Sequence, residues 1–536
     1  MCIDTYISLY WREFIKNMIN FNGKHSLANR YNPVDLSFAV WIIYSIVNGL
    51  LVSDGDCNIY PYLFIFGCYC CCRLVPIPPR MLFCAVALVG GWQSFVSIAQ
   101  WMGYAESNHT LFSVTGSFGN PGQLGCFLAV SIMCIVCLWR SKDGISKKMC
   151  WMSLLAIHVP AIVLADSRTA WISVLCGAVY LCYEKRLLKN KFVRYFAGIS
   201  ILLVVLGASY FYKSRSANGR LLVWRVCMDM AVDKPVFGHG IDGFNKRYMQ
   251  YQAEYFERNP DSDYVEYSDN ISYPYNEYLH ILIEQGIVGL LLWFVVIFSA
   301  LLVPARNNKY KAVLIAYLTI CLFSYPFYVT GLLVLLPLLL SAIRTKTFCI
   351  KTYAVLFRSI LFVVTVFCLA ASTKEYIVKH HCDKAVHGLF SVYSRADAET
   401  YVENNFDTIL NNPFLSDIYA QYVFDDYEPE RALSILNTIK DYSPTSEIYC
   451  DMGDLYRQLG DYDNAISCYR VAGNMIPRRL TPKYKLFLLY KDMDNAVMAR
   501  KYGHDLLSMS SHIEGTRTLT MKRDVIRYLN DTEASE

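Results

Sequence analysis

From about residue 36 to residue 372 one apolar stretch follows another, and a chain that buries this much continuous apolar sequence must do so largely against lipid. A spanning helix needs about 20 mostly apolar residues, because only a helix pairs all its own backbone groups where water is absent. We place spans near 36–53, 60–78, 81–101, 122–139, 149–165, 169–183, 195–212, 277–303, 310–325, 327–343 and 353–372, eleven in all. The pairs within 149–183 and 310–343 are the shortest. Residues 373–536 are polar, charged and rich in tyrosine, and are numerous enough to bury a core of their own. The expected fold is all-α: an N-terminal segment 1–35, a polytopic membrane domain 36–372 and a helical C-terminal domain 373–536.

The loops sort by charge. One set carries Arg73 and Arg80; Arg140, Lys142, Lys147 and Lys148; Lys185, Arg186, Lys189, Lys191 and Arg194; Arg306, Lys309 and Lys311; and Arg344, Lys346 and Lys351. The alternating set, such as Ser53-Asp54-Gly55-Asp56, Gly103 to Asn120 and Ser324-Tyr325, is almost free of Lys and Arg. Cations are retained on the cytoplasmic side, so the first set faces the cytoplasm. The N-terminus, with Arg12, Lys16, Lys24 and Arg30, joins it, and Tyr6 to Ile19 is expected to lie in the interface as a helix. Residues 1–35 lack a clean apolar core followed by small residues, so no cleavable signal peptide is expected. An odd number of spans puts the polar tail on the outer side, together with a long polar insert at 213–275.

Against that pattern Arg168, Arg220 and Arg225 stand out as cations on a side that otherwise avoids them. A cation at an outer boundary that is not a cytoplasmic anchor marks a candidate site. The plain alternative is a snorkelling arginine or one paired to Asp166. Three arginines on one side suit an anionic, lipid-linked substrate. On a helix Arg225 points away from Arg220, since five residues turn about 500°.

Other features point to structure. The net charge of +5 and the lack of a basic, aromatic-interleaved surface give no support to a nucleic-acid partner. Most of the 20 cysteines lie inside apolar runs, where they act as small hydrophobes, and Cys70-Cys71-Cys72 has no spacing for a tetrahedral metal site. Cys382, Cys450 and Cys468 in the tail make no disulfide framework, though one pair could bridge in an oxidising compartment. Gly238 and Gly240 read as turn residues, Gly286 and Gly289 as points of close helix packing, and His280 as a helix-contact residue. Asn120-Pro121 reads as a helix cap.

The tail repeats itself at about 33 residues, with Ala432 and Pro444 recurring as Ala465 and Pro477. Gly453, Tyr456, Gly460, Tyr462, Ala465, Tyr469, Ala472 and Pro477 resemble the tetratricopeptide pattern. That resemblance implies a short solenoid of helix pairs that binds a protein partner or the chain's own membrane domain.

The insert and its surroundings resemble the O-antigen ligase and polymerase superfamily of bacterial membrane glycosyltransferases. The likeness rests on Gly116-Ser117-Phe118-Gly119-Asn120-Pro121, Ser167-Arg168-Thr169-Ala170-Trp171, Arg220 four residues before Trp224, Pro235-Val236-Phe237-Gly238-His239-Gly240, and Asn276-Glu277-Tyr278-Leu279 leading to Glu284-Gln285-Gly286-Ile287-Val288-Gly289. It spans roughly residues 36–345. The resemblance implies transfer of a glycan from undecaprenyl pyrophosphate to a hydroxyl of lipid A core, another repeat unit or a protein. The setting would be the periplasmic face of a bacterial inner membrane, with no cofactor. It assigns Arg168 and Arg220 to the pyrophosphate, with Arg225, Asn276, Glu277 and Asn120 as substrate-binding candidates. Ligases of the family usually carry a His where this chain has Tyr275. That departure turns attention to Tyr275 itself, to His239, to Glu277 or Asp242 as groups beside the acceptor, or to a leaving group good enough that positioning suffices, and shifts weight from a lipid A-core ligase toward a repeat-unit polymerase or a related transferase. No metal-binding cluster is evident in the sequence, and arginines neutralising a leaving diphosphate do not need one. Two other classes compete: a flippase for the same lipid-linked sugars, which would need ionisable residues within the spans, and a scaffold working through the tail, which leaves Arg168 and Arg220 unexplained.

Overall fold

The computed structural model describes residues 30–533 apart from 54–56, 76, 140–142, 185–199, most of 201–209, 303–307, 344–347, 350–353, 392–394 and 510–514. The protein is all-α, with one two-residue antiparallel pairing of Arg30–Tyr31 with Phe348–Cys349. Each predicted span except 195–212 and 327–343 coincides with a described helix; 327–343 is broken into short pieces, and 195–212 falls largely outside the described residues, as do the N-terminal segment 1–29 and its expected interfacial helix. Among the described residues six helices are long and apolar enough to cross a membrane.

The first part of the chain forms α1 (Pro33–Val52), α2 (Tyr60–Leu74), α3 (Pro79–Trp101), α4 (Pro121–Leu138), α5 (Ile145–Leu164) and α6 (Arg168–Glu184). Several of these helices start where the sequence says they must. Asn32 and Asp35 cap α1 reciprocally at 3.0 and 2.7 Å, with Pro33 in the first turn. The Asn120 side chain accepts from the Gln123 N–H at 3.0 Å and Pro121 opens α4. The short stretch 149–183 is two helices, separated at Ala165 to Ser167, where Asp166 takes φ 44°.

Helix α4 is the centre of the bundle, with 78% of its span buried, against 17% for α5. Trp41 of α1 and Trp293 meet in the core at 4.7 Å, their rings tilted by 42°. The rim shows Leu88, Trp92, Phe95, Phe362, Val363 and Phe367 outward, as side chains meant for hydrocarbon.

The insert contributes α7 (Ser214–Asp233) and α8 (Gly243–Arg258). They share a core of Leu222, Val226, Met230, Phe244, Tyr248 and Phe256. The chain returns through α9 (Glu277–Leu302), α10 (Lys309–Phe323) and the broken apolar pair α11 (Thr330–Leu333) and α12 (Leu335–Ala342). Helix α13 (Ala354–Gly388) then rises without interruption from the bundle into the polar tail, about 52 Å at 1.5 Å per residue.

The tail is α14 (Arg395–Asn404), α15 (Phe406–Leu410), α16 (Pro413–Asp426), α17 (Pro429–Tyr442), α18 (Ser446–Gln458), α19 (Tyr462–Met475), α20 (Leu480–Asp492), α21 (Ala496–Ser508) and α22 (Thr516–Glu533). Successive helices pack on one another, and a Cβ at Gly453 would collide with the Tyr469 ring, so the glycine allows α18 and α19 to close. Cys382, Cys450 and Cys468 are buried free thiols. The tail is docked on the insert: Met475 and Ile476 enter the insert's core, and Gln252 Nε2 donates to the Met475 carbonyl at 2.7 Å. Arg478 donates to the Ser268 carbonyl at 2.6 Å and pairs with Asp269 at 3.1 Å.

One joint fixes the insert to the bundle. Helix α9 breaks at Gly286, where φ is 65°. The strip Pro235 to Gly240 lies in the break: His239 N–H donates to Ile283 O at 2.7 Å, Gly240 N–H to Glu284 O at 2.9 Å, and Ile287 N–H to Pro235 O at 2.9 Å. Gly238 and Gly240 take φ 74° and 83°, as turn residues do. Gly289 packs closely, 3.1 Å from Tyr44 of α1 for an added Cβ, but Gly286 is a helix interruption rather than a packing point.

Candidate active site

On the side of the bundle that carries the insert, a cavity of about 590 Å³ lies between the starts of α4 and α6, the first turns of α7, and Tyr275 and Tyr325. Arg168, Lys213 and Arg220 line it, and Asp166 is the one carboxylate among its described lining residues. Lys213 Nζ holds Asp166 at 2.5 Å. Arg168 donates to the Lys213 carbonyl at 3.1 Å and to the Ser216 hydroxyl at 2.9 Å, which ties the first turn of α6 to the first turn of α7. With one of three cations neutralised, the cavity keeps an excess of positive charge.

Arg220 is the unusual member. Its guanidinium lies over the Tyr275 ring at 5.5 Å, and among the described residues it has no hydrogen-bond or ion-pair partner. Burial pulls it below its ordinary value, while Tyr275 and Cys126 act the other way. A guanidinium stays charged even so. A desolvated cation with no counter-charge is expensive unless an anion completes it. Four residues on, on the same helix face, Trp224 donates to the Pro274 carbonyl at 3.0 Å. The Arg220 and Trp224 pair thus holds the segment that presents Tyr275.

Tyr275 takes φ 54°, and burial, then Tyr325, pushes its phenol up to about 12, with Arg220 opposing. Asn120 caps α4 and turns its amide to the Tyr325 hydroxyl at 2.8 Å. Tyr325 stacks flat on Tyr273 at 4.3 Å.

The cavity therefore unites Arg168, Arg220, Tyr275 and Asn120. It does not take in the others. Arg225 is exposed on the opposite face of α7. His239 sits in the Gly286 joint, its Nε2–H donating to the Met230 carbonyl at 2.9 Å, and burial lowers its basicity. Asn276 caps α9, accepting from Tyr278 N–H at 2.9 Å. Glu277 is buried beside the cavity floor, held by Phe327 N–H at 2.7 Å and by His280 at 2.9 Å. His280 is more than a helix contact: its other nitrogen lies 3.1 Å from Glu284 and 2.9 Å from the Tyr328 hydroxyl. Lys213, Ser216, His109 and Tyr325 line the cavity and were not singled out from sequence. For Lys213 the signal was present, since it too is a cation on the side expected to avoid them. It closes an apolar run and so reads as a span end.

Beyond the tyrosines, Asp242 accepts from the Asn58 N–H at 2.6 Å, and burial and then Glu284 push its carboxyl up to about 6. A carboxyl raised on folding favours the native state at low pH. That contribution is full below about pH 4 and is lost as the pH rises through about 6. Asp242→Asn should remove this fall, seen as a thermal midpoint that declines less than that of the wild type between those limits.

Among the described residues no group of three or more His, Cys, Asp or Glu could hold a metal ion. No curated protein matches the chain. A family model described as O-antigen ligase matches residues 152–294. The matched segment contains Arg168, Arg220, the Pro235–Gly240 strip, Tyr275 and Gly286, while the Gly116–Pro121 strip and the polar tail lie outside it. Residues 152–294 are thus similar to an O-antigen ligase domain, which supports a membrane enzyme that transfers glycans in surface-polysaccharide synthesis.

Proposed function

We propose that the protein moves a glycan from a polyprenyl pyrophosphate carrier to an acceptor hydroxyl on the outer face of a bacterial inner membrane, as a repeat-unit polymerase. The observation that carries this reading is Arg220, half-buried, without a hydrogen-bond or ion-pair partner among the described residues, and facing a cavity shared with Arg168 and Lys213. In the transfer the acceptor oxygen forms a bond to the anomeric carbon. The bond from that carbon to the phosphate oxygen breaks, and its electron pair leaves with the diphosphate. Arg168 and Arg220 stabilise the charge that grows there, paired forks suiting phosphate oxygens. Lys213 adds a point charge steadied by Asp166. With the phenol of Tyr275 pushed up to about 12, that residue keeps its proton near neutrality and serves as a hydrogen-bond donor and a platform for Arg220. The proton of the acceptor hydroxyl passes to a phosphate oxygen or to water.

Deleting the protein and analysing the surface polysaccharide tests the reading. Single units attached to their acceptor, with long chains missing, are the result expected of a polymerase. Full-length polymer accumulating on the carrier would instead make it a ligase, and intermediates trapped on the cytoplasmic leaflet would make it a flippase. A finer expectation concerns Tyr275. The pH–rate profile of transfer should show no limb from this residue between about pH 6 and 9, and Tyr275→Phe should leave its shape unchanged.

A further inference from the structure

A second cavity, about 730 Å³, opens behind the tyrosines, enclosed by the bundle, the insert, α13 and the tail. It is chemically unlike the first. Asp242, Glu284, Glu375 and Asp417 line it, against Lys379 and His280 as the basic groups. Glu284 is 2% exposed, and its Oε1 accepts no hydrogen bond among the described residues, although a buried carboxylate oxygen normally finds a donor. Around these acceptors stand aromatic faces, of which Tyr376 and Phe414 are 68% and 63% exposed. Surplus acceptors, with flat rings set among them, are complementary to a ligand rich in hydroxyl donors and C–H faces, and repel an anion.

The two cavities are neighbours. Tyr325 lines the cationic one and Tyr273 the acidic one, and these are the rings stacked at 4.3 Å. On its far side the acidic cavity shares Phe414 and Asp417 with a groove of about 1400 Å³ running over the tail.

We propose that the acidic, tyrosine-walled cavity binds a neutral or amino-bearing saccharide, the acceptor glycan, with its reactive end at the Tyr273–Tyr325 pair and the rest of its chain leaving along the tail. The role as acceptor rests on the transfer reaction proposed above; the saccharide site itself does not. The lipid-linked donor and the acceptor are thereby sorted by charge. Diphosphate is drawn to Arg168 and Arg220, and the hydroxyl-rich chain is drawn to carboxylates that would repel a phosphate.

The test uses the full-length protein in lipid nanodiscs and oligosaccharides released by acid from the producing strain's own surface polysaccharide, freed of lipid and phosphate. Binding is followed by titration calorimetry, with no turnover required. The wild type should bind them. Tyr376→Ala and Phe414→Ala, at exposed positions, should each weaken binding about tenfold with unchanged thermal midpoints. Arg220→Ala should bind as the wild type does. If the wild type fails to bind, or both aromatic variants bind normally, the saccharide site is wrong. Calcium or manganese bound instead, and lost in Glu284→Gln, would make this a cation site and also overturn it. Failure of the transfer reading would appear separately, as Arg168 and Arg220 variants that retain transfer activity.

Discussion

Arg220→Ala is expected to lower glycan transfer by about 10²–10³-fold, the usual cost of removing one preorganised group from a charge that develops in the transition state. Arg220→Lys keeps the charge but loses the fork, and should recover part of the rate. The sign of the stability change makes this more than a knockout. Arg220 is desolvated, and among the described residues it has no hydrogen-bond or ion-pair partner, with only Tyr275, Cys126 and Tyr325 acting on its charge. Removing such a cation relieves a cost of folding, so Arg220→Gln should unfold at the same or a higher temperature while transfer collapses. A residue that merely held α7 in place would show the opposite pattern, with activity and thermal midpoint falling together. Arg168 differs. It ties the Lys213 carbonyl and Ser216 to the start of α6, so Arg168→Ala should lower both rate and midpoint. Transfer measured on purified protein with a lipid-linked donor, beside a thermal melt of each variant, separates the two cases.

The parts of this architecture that hydropathy governs were legible in the sequence, because a bilayer leaves a span few alternatives. Asn120 and Pro121 mark a helix start for local reasons, and α4 starts there. Arg168 and Arg220 were legible because a cation on a side that avoids cations is conspicuous, and the fold brings them to one cavity. What sequence order could not supply was the pairing of distant segments. The strip from Pro235 to Gly240 looks like a turn, and Gly286 looks like a small residue for helix packing. Only their meeting shows that each glycine exists for the other: a Cβ at Gly238 would approach the Glu284 carbonyl to 2.5 Å, and one at Gly286 would collide with the Val236 carbonyl. His239 was a candidate beside the acceptor because of its residue type, yet the same joint claims it. Likewise Tyr328 reaches His280 and Glu284, neighbours four residues apart on α9, only because the chain folds back after α10.

That joint carries the second large expected effect. Gly286→Val should destabilise the protein by about 4 kcal/mol or more. A β-branched residue at φ 65° costs about 1–2 kcal/mol of backbone strain before any contact is considered. Its side chain also meets the Val236 carbonyl, so the strip must withdraw and forfeit its bonds to Ile283, Glu284 and Ile287, each worth about 1 kcal/mol net. Asn48 loses its hold on the Phe237 carbonyl, now 2.8 Å, as well. Gly460→Ala provides the control. Its φ is 78°, but nothing lies within 4 Å of an added Cβ, so only about 1 kcal/mol of strain applies. Thermal melts in nanodiscs should therefore rank Gly286→Val far below Gly460→Ala, and limited proteolysis should cut the Gly286→Val insert first. Because α7 carries Arg220 and Lys213 immediately precedes it, loosening the insert also removes two of the three cations from the cavity. Transfer should then be lost although Gly286 does not line the cavity. Equal midpoints for the two variants would mean that the insert holds its place without the break in α9, and the geometry of the cationic cavity would need another cause.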